Sequence, residues 1–205
     1  MPSVAVHLFV AHKIADALGI SDVGRFYLGA VAPDAVNLGG KADRDKRYSA
    51  HLRSTDYDKW LENVIVYIKE SETENVDPDF AKGFAAHLLT DIAWDIKIQP
   101  RIFDCLRSLG FTENELNTKK WDALSAFDEK AIKSDRWNDD ILPCLKAAGA
   151  VNTGNVDSDL LIKWRDHILK PDYSKSAKSD FLQIITETDI NITAQSVLEL
   201  FKKIN

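Results

Sequence analysis

The sequence predicts an all-α fold of seven to nine helices, and three observations predict it. Nearly every segment spaces its apolar residues three to four apart, no segment sustains the alternation of a strand, and capping residues, glycines and prolines fall where such helices begin and end. Residues 4–18 read as an apolar helix with Ser3 as candidate N-cap and Gly19 as its stop. A second helix runs from Asp22 to Ala32 and breaks at Pro33. Residues 34–54, "DAVNLGGKADRDKRYSAHLRS", read as a long polar connection containing two consecutive glycines. Residues 56–70 form a third helix with Trp60, Val64, Tyr67 and Ile68 on its inner side. The longest helix starts at "DPDF", where Asp77 caps and Pro78 takes the first helical position. It passes through 83–95, bends at Pro100 and reaches Leu109. Helical segments follow at 112–133, 136–148, 157–169, 174–188 and 193–203, with 147–159 as the candidate linker. The expectation is one all-helical domain over 1–205, with a helical C-terminal half from about 111 onward.

A chain of 205 residues buries enough surface, roughly 70% of that exposed when unfolded, to need no metal or disulfide for folding. A net charge of −6 argues against a stable nucleic-acid complex. That charge is unevenly spread: residues 1–53 hold seven Lys/Arg and five Asp/Glu, a balance of +2, which leaves −8 for the rest. The positive excess lies in "KADRDKRYSAHLR", residues 41–53, which reads either as a solvated loop or as a rim that attracts an anionic substrate. On the second reading Arg44, Lys46, Arg47 and Arg53 steer a phosphate. Cys105 and Cys144 have no metal-binding spacing and read as reduced, half-buried thiols. His7, His12, Lys13 and Asp16 make the first 20 residues too polar for a signal-peptide core, and the apolar run is too short to span a membrane, so the chain reads as cytoplasmic. The five tryptophans read as core or interface anchors, with Trp94 alone a candidate for a cleft wall.

The chemistry begins in "GFAAHLLTDIAWD", residues 83–95. Helical residues four apart are stacked neighbours, so His87, Asp91 and Asp95 make a polar ridge beside Phe84, Leu88 and Ile92. A carboxylate on such an inward face is costly unless a positive group meets it. No Lys or Arg lies within the stretch, so the partner is either a side chain from elsewhere or a metal ion. Three further residues have ordinary structural readings when taken singly: His7 as a hydrogen-bonded core histidine, Asp34 as a capping aspartate, and His51 as a surface residue. Together with His87 and Asp91 they supply imidazoles and carboxylates in a mixture that suits zinc and related divalent ions.

"VHLFVAHKIA", "RFYLGAVAPDAVN", "YSAHL" and "GFAAHLLTDIAWD" also occur in an order and style that resembles the zinc-dependent phospholipase C family, which is related in fold to fungal zinc nucleases. The "GAVAPD" and "HLLTD" segments are the most specific, and the resemblance covers roughly residues 4–98. It implies an all-helical fold with metals at the base of a cleft that hydrolyses phosphate esters. It further implies that Asp34, His51, His87 and Asp91 hold one metal, and that Asp91 bridges to a second site containing His7. Three features depart from that pattern, the first being "DIKIQP", residues 95–100, where family members have a histidine soon after the HxxxD pair. The chain begins Met-Pro, where secreted family members begin with a tryptophan whose amino group is a ligand, and it contains no HxxxE pair. One or two ions, zinc foremost, are therefore expected rather than three, with Asp95, Asp128 or His167 as possible additional ligands.

The resemblance thus implies a metal-dependent phosphoesterase acting on a small-molecule or lipid phosphate ester through an activated water. Asp34 is the candidate catalytic residue; it either orients or deprotonates the water, or it only ligates. The alternative is a non-catalytic metal-containing domain that binds a ligand or partner.

Overall fold

The computed structural model describes residues 1–149, 151–170, 181 and 183–204. Among them the chain is helical throughout and contains no strand. The helices are α1 (Val4–Ile14), α2 (Val23–Val31), α3 (Arg44–Ala50), α4 (Tyr57–Thr73), α5 (Pro78–Ala93), α6 (Gln99–Ser108), α7 (Glu113–Ile132), α8 (Leu142–Ala147), α9 (Ser158–Ile168) and α10 (Glu187–Phe201). Most of the segment expected to be helical at 174–188 lies outside the described residues.

Helix α5 is the axis of the molecule. It is enclosed on almost every side, and Phe80, Ala85, Leu88 and Leu89 are among its fully buried residues together with His87 and Asp91. It packs against α1, α2, α4 and α10. Its start is fixed as the sequence predicts: the Asp77 carboxylate accepts hydrogen bonds from the Asp79 and Phe80 amides, and Pro78 follows the cap. Asp79 in turn accepts from the backbone amides of Ser21 and Asp22, and Arg25 bonds Asp77 at 2.6 Å. These bonds clamp the start of α2 to the start of α5.

Beyond that clamp the two helices cross almost backbone to backbone. A Cβ at Gly29 would lie 2.1 Å from the Phe80 carbonyl oxygen, and one at Gly83 would lie 2.0 Å from that of Phe26. No residue with a side chain fits either position without parting the helices.

Four expectations need correction. The polar connection at 34–54 contains a 3-10 turn over Ala32–Asn37 and the short helix α3, capped by Asp43, whose carboxylate accepts from the Lys46 amide. The bend expected at Pro100 is a π-helical turn, Trp94–Ile98, that ends just before it. Proline has no N–H to continue the α-helical ladder, and the widened turn absorbs the break. Trp94 is 0% exposed and belongs to the core, not to a cleft wall. Ser3 makes no side-chain cap; its hydroxyl donates to Asp128 at 2.5 Å.

Burial pushes the Asp128 carboxyl from its ordinary 3.8 up to about 7, against the opposing effect of the Ser3 hydrogen bond. The folded state thus favours the protonated acid, and stability present below the unfolded pKa is lost as pH rises from about 4 to about 7. Asp128→Asn is expected to raise stability at pH 8 by on the order of 2 kcal/mol and to change little at pH 4. Denaturant melts at the two pH values check this, and an equal effect at both would refute it.

Candidate metal centre

Four elements deliver five side chains to one point beside α5. His7 comes from α1, Asp34 from the 3-10 turn, His51 from the end of α3, and His87 and Asp91 from successive turns of α5. His7, His51, His87 and Asp91 are at most 1% exposed, and Asp34 alone keeps 8%. The surface reading of His51 is therefore overturned.

The imidazoles are aimed by backbone carbonyls. The last carbonyls of a helix lack α-helical N–H partners; at the end of α2 that of Ala30 accepts from His87 Nδ1 at 2.8 Å, and that of Val31 from Trp164 Nε1 at 3.0 Å. His51 Nδ1 donates to the Arg47 carbonyl at 2.8 Å. The Trp60 indole holds the His51 carbonyl at 2.9 Å, where the chain turns into Leu52 with φ +46°. With Nδ1 carrying the proton, Nε2 of both rings is left with a bare lone pair, the tautomer a metal requires. The His7 and His87 rings stack at 3.6 Å, and His51 meets His87 edge-on at 5.0 Å.

The Nε2 atoms converge on the carboxylates without bonding them. His51 Nε2 lies 3.4 Å from Asp34 and 3.9 Å from Asp91 Oδ2, His87 Nε2 lies 3.9 Å from Asp91 Oδ2, and His7 Nε2 lies 3.7 Å from Asp91 Oδ1. These separations exceed ordinary hydrogen-bond lengths. Ligands about 2.0–2.1 Å from a tetrahedral ion stand roughly 3.4 Å from one another, close to this spacing. Both nitrogens of His7, Nε2 of His51 and His87, and both oxygens of Asp91 are buried with no hydrogen-bond partner. Unsatisfied groups on this scale are rare in folded proteins. The donor set fits a divalent ion, and the cluster can hold one in either of two overlapping sets, His7–Asp34–His87 or His51–His87–Asp91.

Electrostatics divide the five groups: His7, His87 and Asp34 are held in the forms a metal binds, whereas His51 and Asp91 are shifted toward protonation. Burial drives the His7 and His87 imidazoles well below their ordinary range, and nearby rings add to the effect, which keeps them neutral. Burial opposes charge on His51 too, but Asp34 and Asp91 outweigh it and raise its pKa. Burial works against the Asp34 carboxylate, yet His51 and His87 hold it below its usual value. Asp91 is pushed up to about 6 by burial.

The remaining candidates divide. Asp95 leaves the ridge: it pairs with Arg53 at 2.6 Å and with the Met1 amino group at 3.2 Å, just inside the π-helical turn that interrupts the four-residue stacking. Asp128 is engaged by Ser3, and His167 is exposed and stacked on Trp164. Cys105 and Cys144 are free, half-buried thiols outside the cluster. Arg44, Arg47 and Arg53 line a cleft of about 530 Å³, whereas Lys46 does not. Lys41, Lys120 and Trp121 line the same cleft and were not singled out by the sequence. Among the described residues no helix is long and apolar enough to cross a membrane. No family model, curated protein or solved structure matches this chain.

Proposed function

We propose that the chain is a metal-dependent phosphoesterase, a phospholipase C-like hydrolase with zinc as the ion and a phosphate ester as substrate. The observation that carries this reading is the convergence of buried imidazoles and carboxylates from four separate elements, six of whose nitrogen and oxygen atoms have no hydrogen-bond partner. Under it His51, His87, Asp34 and Asp91 hold one ion. Asp91 presents Oδ1 to His7 and Oδ2 to His51 and His87, an arrangement suited to bridging a second ion. A divalent ion held there supplies Lewis acidity and lowers the pKa of a water from about 16 toward about 7. The chain's own part is to keep His7 and His87 neutral, to exclude bulk water around Asp91, and to aim the rings through Ala30 and Arg47. Asp34, at 8% the least enclosed of the five, would orient or deprotonate the water, or only ligate.

Zinc in hundredfold excess over its Kd is expected to stabilise the protein by about 2.7 kcal/mol, a rise in Tm of roughly 5–10 °C for a chain of this size. Calorimetry with elemental analysis checks binding, and a screen of phosphomonoesters and phosphodiesters checks turnover. Bound metal without turnover on any ester would leave the non-catalytic metal-containing domain as the better account. No bound metal and no shift in Tm would remove the basis for both.

A further inference from the structure

The cleft beside the cluster carries more positive charge than one phosphate needs. Its wall includes Lys41, Arg44, Arg47, Arg53 and Lys120 against a single carboxylate, Asp95, which Arg53 already pairs at 2.6 Å. Among the described residues Lys41, Arg44, Arg47 and Lys120 make no ion pair. Their holders are neutral instead: Arg44 lies over the Tyr48 ring at 4.8 Å, and Arg47 Nε donates to the Ala42 carbonyl. Lys120 is the decisive case. It is only 7% exposed; its ammonium bonds the neutral amide of Gln99 at 2.9 Å and lies over the Phe103 and Trp121 rings at 5.8 and 5.5 Å, while Asp95 and Asp91 act on it without bonding it. A lysine this buried ordinarily has a carboxylate in bonding contact, and Lys120 has none among the described residues. The Arg53 Nε, also buried, has no partner either. Neutralising such a wall in a protein of net charge −6 takes several negative charges held close together.

The cleft and the candidate centre share neighbours in the chain, although none of the five cluster side chains lines the cleft. Arg47 turns its side chain into the cleft while its carbonyl holds His51, and Asp95 stands one turn beyond Asp91 on the α5 axis. At about 530 Å³ it has the size of an ordinary small-molecule site.

We infer that this cleft binds a compound bearing two or more neighbouring phosphate groups, with Lys120, Arg44, Lys41 and Arg47 as counter-charges. The inference rests on the phosphoesterase reading and names the substrate class of that site. A free polyphosphorylated compound and a polyphosphorylated lipid headgroup share this chemistry.

Titration calorimetry of the full chain, stripped of metal by chelation so that only the cleft responds, is the test. Inorganic tripolyphosphate is expected to bind at least tenfold tighter than inorganic phosphate. Lys120→Met and Arg44→Met are each expected to weaken tripolyphosphate by on the order of tenfold, the effect of losing one charge-assisted hydrogen bond. Lys46→Met, on the same helix as Arg44 but outside the cleft, is expected to change nothing, and far-UV circular dichroism confirms that each variant keeps its helices. Equal affinity for the two anions, or equal losses in Lys46→Met and Lys120→Met, overturns the inference. Hydrolysis of simple monoesters by the zinc-loaded protein would in that case leave the phosphoesterase reading standing. Tripolyphosphate preference without turnover on any ester does the reverse: it keeps the cleft as a polyphosphate site and removes the hydrolase. Vesicles of phosphatidylcholine containing phosphatidylinositol bisphosphate separate the sources. Retention of wild type but not Lys120→Met on them assigns the phosphates to a lipid, and competition by nucleoside triphosphate alone assigns them to a soluble compound.

Discussion

His87→Ala is expected to abolish metal binding and, on the phosphoesterase proposal, to lower ester hydrolysis by more than about 100-fold. Loss of a residue that only orients a ligand already costs about 10–100-fold, and His87 belongs to both of the overlapping donor sets. The variant also loses the ring stacked on His7 and leaves the Ala30 carbonyl without its imidazole partner. A stability loss of about 1–3 kcal/mol is expected from that orphaned acceptor, so the helices should persist. Asp91→Asn separates the two effects. It keeps the volume, removes the charge that meets three histidines, and is expected to lose metal with less damage to the fold. Elemental analysis and circular dichroism on the two variants check both statements. Full metal content with unchanged turnover in either one would sink the assignment.

Gly83→Ala is expected to be among the most destabilising single-methyl changes in the chain. Its new carbon would lie 2.0 Å from the Phe26 carbonyl oxygen, 2.9 Å from that carbonyl carbon and 3.0 Å from the Ala30 amide nitrogen. All three are main-chain atoms and cannot rotate aside, so α2 and α5 must move apart. Overpacking of this kind costs about 3 kcal/mol or more, a fall in Tm of roughly 6–12 °C. Parting the helices also stretches the 2.8 Å bond between Ala30 and His87, so zinc affinity is expected to fall with stability even though residue 83 touches no ligand. Melts with and without zinc measure both, and a Tm within about 1 °C of wild type would contradict the argument.

The contrast between what the sequence disclosed and what it hid follows from the range of the interactions involved. Apolar spacing and the Asp77–Pro78 cap are local, and they located α5 closely. Helix α3 was missed because "RDKRYSA" buries no residue fully and has no apolar face to announce it; the Asp43 cap and the Arg47–Ala42 bond define it instead. The pairing of His87 with Asp91 is a four-residue relation and was readable as a ridge. The continuation to Asp95 was not, because the π-helical turn and the Arg53 guanidinium act on it from outside that pattern. Lys120 was invisible for another reason. A lysine in a long, mostly polar helix ordinarily faces water, and its enclosure depends on Gln99 and residues of the 41–53 segment. Trp94 and Trp121 exchanged roles likewise: the first is fully enclosed, whereas the second is 48% exposed at the cleft.

The two histidines aimed by main-chain oxygens give the centre an unusual mutational profile. Every amino acid supplies the same carbonyl, so substitutions at positions 30 and 47 leave the acceptors of His87 and His51 in place unless they bend the chain. In a saturation scan scored by metal content, positions 7, 34, 51, 87 and 91 should stand out as intolerant sites, whereas position 47 should be nearly silent; position 30, enclosed in the α2–α5 crossing, should reject bulk rather than chemistry. Arg47 would then split by assay: Arg47→Met passes a zinc screen and fails a polyphosphate screen, because its backbone serves one task and its side chain another. A lineage could therefore retune what enters the cleft by exchanging side chains at that position while the inherited orientation of His51 goes unselected and unchanged.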